Sequence, residues 1–238
     1  MTDKINITEE THVIDPYVID LFQKDFKFSH EKGIAEWLKN SADAYNTSNT
    51  PDSEQHVFLR FNNLPKPNTF ECIDFVGMTV NDIDKALKRW YDPKAAKKGT
   101  AKATFGGHGN GGKYYMRGMF ETAYFVTYRE GKLNIFGFNE KGNYGFAEGY
   151  KDKKTSLDIA LKFVGLQANG IPLSRLESMK SNKSGFTVVK GISPKGLRNF
   201  DSREIIRLCG KILGHPQSRY LLNQLMVKVF FDNKELFP

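Results

Sequence analysis

Cysteine is scarce in this chain of 238 residues, and long apolar runs are absent. The two cysteines, Cys72 and Cys209, do not make a disulfide framework, and we expect both to be buried thiols in a reducing compartment. No stretch approaches the ~20 apolar residues that a membrane-spanning helix needs. The polar, acidic N-terminus lacks the pattern of a signal peptide. These absences argue against a disulfide-rich secreted domain and against a membrane protein, and they predict a cytoplasmic location.

The remaining composition is that of a folded, basic protein. Hydrophobic residues make up 39% of the chain and aromatic residues 13%, enough for a sizeable core. Neither an internal repeat nor a linker is visible, so we predict one domain over residues 1–238, with an N-terminal arm over residues 1–28. The net charge of +8 suits nucleic acid, an anionic ligand or an acidic protein partner. Because this charge is spread thinly, a basic protein without such a partner fits equally well.

Hydrophobic periodicity predicts helices and strands in irregular alternation. Helices are predicted at residues 29–46, 80–91, 155–168 and 201–213, and strands at 56–61, 69–76, 121–129, 132–138, 143–149 and 185–191. Residues 223–231 fit either a strand or a helix. Because strict β–α–β alternation is missing, the pattern predicts an α+β fold. We expect a two-layer sandwich, with a mainly antiparallel mixed sheet and helices on one face.

A glycine-rich run precedes Lys113, with five glycines in the seven positions from Gly106 to Gly112. Glycine lets the backbone approach a ligand closely, and successive N–H groups that lead into a helix bind phosphate oxygens. The run therefore predicts a phosphate-binding loop followed by a short helix, although a flexible loop with a solvated lysine also fits. No Ser or Thr follows Lys113, which excludes a P-loop. A dinucleotide fingerprint is excluded because no strand–turn–helix with a later acidic residue surrounds the run.

Two further features bring carboxylates into unusual surroundings. In the predicted helix 29–46, Glu36, Asn40 and Asp43 fall on one stripe. Any amphipathic helix has a polar face, but an amide between two carboxylates is not the usual Glu/Lys pattern of a solvated one. Asp74 lies within an apolar strand, where a buried acid costs several kcal/mol unless it has partners. Asp74 is therefore a candidate ligand contact.

Three motifs in chain order resemble the sequence boxes of the GHKL ATPase superfamily, named for gyrase, the heat-shock chaperone, histidine kinases and MutL. Residues 36–44, Glu-Trp-Leu-Lys-Asn-Ser-Ala-Asp-Ala, are similar to its first box, and residues 73–79, Ile-Asp-Phe-Val-Gly-Met-Thr, to its second. Residues 105–113, Phe-Gly-Gly-His-Gly-Asn-Gly-Gly-Lys, are similar to its third box, in a form closest to the microrchidia branch. Thr187 lies on a strand that resembles the late strand near the adenine. The resemblance spans about residues 30–190.

This resemblance implies a Bergerat-type fold and a Mg²⁺-dependent ATP-binding domain, with slow ATP hydrolysis coupled to conformation. Glu36 would be the catalytic base, and Asn40 would be both a Mg²⁺ ligand and a nucleotide contact. Residues 79–112 would form the ATP lid and the glycine loop. The other nucleotide-binding residues that the resemblance implies are Asp43, Asp74, Gly77, Met78, Gly106, Gly107, His108, Gly109, Asn110, Gly111, Gly112, Lys113 and Thr187.

The second box departs from the pattern of the superfamily. Only Phe75 and Val76 separate Asp74 from Gly77, where the family has three residues. Either the turn is one residue shorter, or Ile73 takes the place of the aspartate. Neighbouring strand residues face opposite ways, so the two alternatives predict different sites. They leave open whether Asp74 contacts adenine.

Other functions remain compatible with the motifs. A histidine kinase is disfavoured, because kinases of this superfamily generally lack the glutamate four residues before the box asparagine. A nucleotide-dependent switch or binding module that does not hydrolyse ATP is the main alternative, with nucleic acid or a protein as its partner. The basic residues 94–104 suit a nucleic-acid contact or a solvated loop. Dimerising elements usually follow this domain in the superfamily, so we expect either a fragment of a longer protein or a stand-alone member. A nucleotide-dependent homodimer is a further candidate partner.

Overall fold

The computed structural model of the chain describes residues 6–10, 29–88, 111–196, 199–214 and 225–236. Ten strands in these ranges form one sheet, in the order β1-β6-β5-β4-β8-β3-β2-β9-β10, with β7 paired to β5 off this path. The described pairings are antiparallel except for that of β2 with β9. The strands are β1 (Ile7–Glu10), β2 (His56–Asn62), β3 (Thr69–Asp74), β4 (Phe120–Arg129), β5 (Lys132–Phe138), β6 (Tyr144–Ala147), β7 (Lys153–Lys154), β8 (Phe186–Pro194), β9 (Met226–Phe231) and β10 (Lys234–Leu236).

Helices cover the sheet and complete an α+β sandwich, which confirms the predicted fold class. They are α1 (His30–Thr47), α2 (Val80–Ala86), α3 (Gly111–Met119), α4 (Leu157–Phe163), α5 (Leu173–Lys180) and α6 (Ser202–Gly214). The predicted helical layer consists of α1, α2, α3 and α6, which enclose the larger apolar core. The short helices α4 and α5 cover a second apolar cluster on the opposite face. Within the described ranges, no helix combines the length and the apolar character needed to cross a membrane.

The helix α1 is fixed on the sheet by an N-terminal cap and an aromatic stack. The hydroxyl of Ser29 accepts a hydrogen bond from the backbone N–H of Lys32 at 3.1 Å, which satisfies one of the free donors of the first turn. Further along, the ring of Trp37 stacks on Phe70 and on Phe120, with centroid distances of 5.2 and 5.6 Å. Both phenylalanines lie on the sheet. The stack therefore places the middle of α1 over the strands β3 and β4.

Most predicted elements are confirmed, with differences of a few residues at their ends. The helix predicted at 155–168 is shorter, because α4 ends at Phe163 and Gly165 follows with a φ of +63°. Residues 223–231 contain a strand, β9, and three short strands and α5 were missed by the sequence analysis. In the predicted N-terminal arm, β1 pairs with β6. The rest of the arm lies outside the described residues, as do residues 89–110 of the predicted lid and glycine loop.

A buried ion cluster joins three strands on the face that carries α4. Arg60, Glu71 and Lys190 are register partners on β2, β3 and β8. The carboxylate of Glu71, with 6% of its side chain exposed, lies 2.5 Å from Arg60 Nη2 and 3.4 Å from Lys190 Nζ. Arg60 also donates to the carbonyl oxygens of Val164 and Gly165, at 2.7 and 2.9 Å. The cluster therefore ties the end of α4 to the sheet.

We expect Glu71→Gln to destabilise the fold by about 3 kcal/mol, because loss of the buried carboxylate leaves two partly buried cations without their counter-charge. The matched control is Glu235→Gln. Glu235 pairs with Lys228 at 3.5 Å, but both side chains are substantially exposed, at 35% and 49%. Such a pair contributes less than about 1 kcal/mol. Urea denaturation of the two variants measures the difference, and equal losses would show that the Glu71 cluster contributes no more than a surface pair.

Candidate functional site

The polar stripe of α1 lies directly against the start of α3, where the glycine-rich run ends. A Cβ added to Gly111 would lie 2.9 Å from Glu36 Oε2, and one added to Gly112 would lie 2.7 Å from Asn40 Nδ2. The indole N–H of Trp37 donates to the carbonyl oxygen of Gly112 at 3.3 Å. A side chain at either position would therefore displace Glu36 or Asn40, so glycine is what lets α3 begin this close to both residues. This contact brings the first and third motifs together.

The three predicted residues of the stripe differ in burial. Asn40 is exposed, and the side chain of Glu36 is 30% exposed, with its Oε1 in an ion pair with Lys39 Nζ at 2.7 Å. Asp43, by contrast, is 1% exposed. Asp43 therefore belongs to the predicted stripe but lies inside the protein. The reason is that the C-terminal half of α1 is enclosed on most sides, so that even its polar positions lie inside the protein.

A row of polar residues crosses the sheet below α1. Asp74, Thr187 and Thr127 are register partners on β3, β8 and β4, and all three are buried. The hydroxyl of Ser41 on α1 lies 3.4 Å from Asp74 Oδ2, as its donor, and the backbone N–H of Val76 donates to Asp74 Oδ1 at 3.1 Å. The same helix thus carries Asn40 on its exposed side and holds Asp74 with the next residue.

The structure shows which of Ile73 and Asp74 faces α1. Ile73 is fully buried on the opposite face of the sheet, in the apolar cluster that includes Phe75. Asp74 faces α1, as does Cys72, two residues earlier on the strand. The aspartate is therefore the residue that is available on the side of the helix. The shorter connection to Gly77 is accommodated in the turn.

The turn after β3 depends on a glycine and on a threonine that the sequence analysis missed. Gly77 has a φ of +79°, and a Cβ there would lie 2.4 Å from the carbonyl oxygen of Tyr128, so no other residue fits. The backbone N–H of Met78 donates to Thr127 Oγ1 at 2.6 Å, and this hydroxyl lies 3.3 Å from Thr187 Oγ1. Thr127 thus connects the turn with Thr187. Its signal in the sequence is a single threonine within the otherwise apolar and aromatic residues 123–128 of β4.

Lys113 lies in the first turn of α3, but its side chain is buried rather than presented to solvent. It is 1% exposed, and its ammonium donates to the carbonyl oxygen of Leu87 at 3.4 Å. The hydroxyl of Tyr144 donates to the same oxygen at 2.9 Å. Burial lowers the pKa of Lys113 to about 7. A contact between Lys113 and a phosphate stays a prediction, and it would require the buried side chain to become accessible.

The structure therefore joins two groups of predicted residues through α1: Glu36 and Asn40 with Gly111 and Gly112, and Asp74 with Thr187. The predicted residues Gly106, Gly107, His108, Gly109 and Asn110 lie outside the described part of the chain. Among the described residues, no group of three or more His, Cys, Asp or Glu side chains could hold a metal ion. A metal at Asn40 would need ligands from water and from phosphate. Comparison of the chain with models of protein families and with curated proteins finds no match in either.

We expect the buried Lys113 to make stability depend on pH. Its pKa is about 7 in the folded protein, against an ordinary value of 10.5, so above pH 7 the unfolded chain binds a proton that the native protein lacks. Stability should therefore rise with pH from about 7, by up to about 1.4 kcal/mol per pH unit. Lys113→Met should lose this rise, whereas Lys180→Met, at an exposed position, should keep it.

Urea denaturation between pH 7 and about pH 9 measures this rise. The upper limit is set by Cys72, because burial raises the pKa of its thiol above the ordinary value of 9.0. The unfolded chain therefore loses that proton first, and stability falls as the pH rises further. A wild-type profile that is no steeper than that of Lys113→Met would contradict the predicted titration of Lys113.

Proposed function

We propose that this chain is a Mg²⁺-dependent ATP-binding domain of the GHKL type, which hydrolyses ATP slowly and couples its nucleotide state to conformation. One observation carries the proposal. Helix α1 presents Glu36 and Asn40 to the glycines that start α3, while its Ser41 contacts Asp74. Residues from three separate motifs thus converge on one helix. The polar face of an ordinary amphipathic helix lies in solvent. It does not usually pack an amide and two carboxylates against a glycine turn and a strand.

The phosphate side of the proposed site is formed by α1 and α3. Mg²⁺ prefers oxygen ligands and keeps several waters, so the amide oxygen of Asn40 would share the ion with water and with phosphate oxygens. The N–H groups of Gly111 and Gly112 open the nine-residue helix α3, where backbone donors favour an anion. Glu36 would orient and deprotonate the attacking water. Its Oε2 faces Gly111, while Lys39 holds its other oxygen.

The base side of the proposed site is the buried polar row. A carboxylate is an acceptor when ionised, so Asp74 would accept a hydrogen bond from the exocyclic amine of adenine. Guanine offers a carbonyl oxygen at the corresponding position, which a carboxylate would repel. Thr187 lies beside Asp74. The hydroxyl of Thr127 contacts the hydroxyl of Thr187 and the backbone N–H of Met78, and so holds both in place. These contacts support a preference for adenine nucleotides.

A second candidate is a nucleotide-dependent switch that does not hydrolyse ATP. Two charged groups that hydrolysis would need already interact with other parts of the chain. Glu36 forms an ion pair with Lys39, and the ammonium of Lys113 donates to Leu87. In such a switch, nucleotide binding would compete with these internal contacts and change the surface offered to a partner. The basic surface favours nucleic acid or an acidic protein as that partner, and a nucleotide-dependent homodimer is a further candidate.

Saturating Mg-ATP should stabilise the protein by about 2.7 kcal/mol at ~100 times its dissociation constant. Asn40→Ala should lose the part of this effect that depends on Mg²⁺, because the amide oxygen is the proposed metal ligand. Asn169→Ala is the matched control, since Asn169 is exposed and lies between α4 and α5 on the other side of the sheet. Thermal unfolding with ATP, ADP and GTP, each with Mg²⁺ or a chelator, measures these effects. No shift with any nucleotide would refute the proposed function.

Glu36→Gln should lower the turnover of ATP by at least ~100-fold and leave ATP affinity within a few-fold, because a general base acts in the transition state. Glu31→Gln, in the first turn of the same helix, controls for the loss of one carboxylate. Steady-state hydrolysis and calorimetry separate the two parameters. If the variant hydrolyses ATP like the wild type, Glu36 is not the base. If the wild type binds ATP without turnover, the switch is the correct function.

A further inference from the structure

The polar row of the sheet ends in an amide whose donor has no partner among the described residues. Asn134 on β5 is the register partner of Thr127, so it extends the row that begins at Asp74. It is 1% exposed, and its Oδ1 accepts a hydrogen bond from the backbone N–H of Asp152 at 2.6 Å. Only the oxygen of the amide can accept, so this bond fixes which way the group points. In the described part of the chain, no acceptor lies within reach of Asn134 Nδ2.

This amide lines a cleft of about 310 Å³ between the start of α2 and the β4–β5 hairpin. Arg129 and Lys132 also line the cleft, and they face each other across the two strands. Lys132 lies two residues before Asn134, so both side chains leave the same face of the sheet. The floor of the cleft therefore presents a buried amide donor beside two cations. A buried donor without a partner is rare in folded proteins and requires an explanation.

The ion pairs between the two cations and the acidic residues near them are long. Lys132 Nζ lies 3.5 Å from Asp152 Oδ1, and Arg129 Nε lies 3.8 Å from Glu130 Oε1. Charge-assisted hydrogen bonds are shorter, at about 2.7–2.9 Å. The guanidinium of Arg129 is instead held by the carbonyl oxygen of Val76 at 3.2 Å. Both cations therefore keep capacity for a further acceptor.

We propose that this cleft is a second binding site, for a small ligand that carries a single carboxylate. One carboxylate oxygen would accept from Asn134 Nδ2 and the other from Lys132. The volume of the cleft is at the lower end of small-molecule sites. Glu130 and Asp152 at its rim would repel a polyanion such as a triphosphate or a nucleic-acid backbone. Three strand spacings, about 14 Å, separate Asn134 from Asp74, so the proposal does not depend on nucleotide binding.

Acetate tests the proposal as the smallest carboxylate probe. The side-chain amide signal of Asn134 is followed by NMR in ¹⁵N-labelled protein, and it is assigned by its disappearance in Asn134→Asp. Acetate should shift this signal saturably, whereas chloride at equal ionic strength should not. Acetamide, the neutral isostere, should bind more weakly. Lys132→Met should weaken acetate binding about tenfold through loss of a charge-assisted hydrogen bond.

Lys154→Met is the matched control, because Lys154 on β7 is the register partner of Lys132 and does not line the cleft. This variant removes the same charge and should leave acetate affinity unchanged. Equal weakening in the two lysine variants would show general surface electrostatics and would overturn the proposal. Equal binding of acetate and acetamide would overturn the carboxylate class. An Asn134 signal that no probe shifts saturably, with a persistent contact to water, would show that the cleft holds only a structural water.

Discussion

The close approach of α1 and α3 is the constraint on which the candidate site depends. It is made by glycines at both ends of the contact. A Cβ on Gly33 of α1 would lie 2.1 Å from Met119 Sδ. One on Gly111 would lie 2.9 Å from Glu36 Oε2, and one on Gly112 2.7 Å from Asn40 Nδ2. Larger residues at these positions would separate the helices. Glu36 and Asn40 would then lie farther from the start of α3, and the proposed site would lose the contact between its first and third motifs.

This constraint also connects the two sides of the proposed site. The helix α1 contacts the sheet through the stacked ring of Trp37 and through Ser41. A movement of α1 toward α3 would therefore also change the distance between Ser41 and Asp74. A displacement at the start of α3 would therefore alter the contacts of the buried polar row. A connection of this kind, between the phosphate side and the base side of the proposed site, would let the bound nucleotide change the conformation of the protein. Such a change would break two internal contacts, the hydrogen bond from Lys113 to Leu87 and the ion pair of Glu36 with Lys39.

The sheet contributes a second organising feature, the row of polar residues that crosses four strands. Asp74, Thr187, Thr127 and Asn134 share one register and one face, in a sheet whose other positions on this face are mostly apolar. The partners of the first three residues lie on α1, in the turn after β3 and within the row itself. The fourth opens into a separate cleft. One row of strand residues would thus supply buried polar groups to both of the proposed sites.

The sequence by itself determined the elements whose signals are local. Periodicity and the cap at Ser29 were enough to predict α1, because a helix depends on neighbours three and four residues away. The β4–β5 hairpin was equally predictable, since Glu130 and Gly131 both take a positive φ, as a tight two-residue turn demands. The α+β class followed from the order of such elements. The motifs could be recognised for the same reason, because each is a short continuous segment.

Only the tertiary structure decided how these segments meet. It showed that Asp74 and not Ile73 faces α1, that Asp43 is buried, and that the ammonium of Lys113 lies against Leu87. It also brought out two residues that no motif marks, Thr127 and Asn134. Burial and the contacts between separate elements depend on strands and helices that are far apart in the chain, and local patterns do not specify them. The sequence therefore determined which residues are polar, and packing decided which of them share a site.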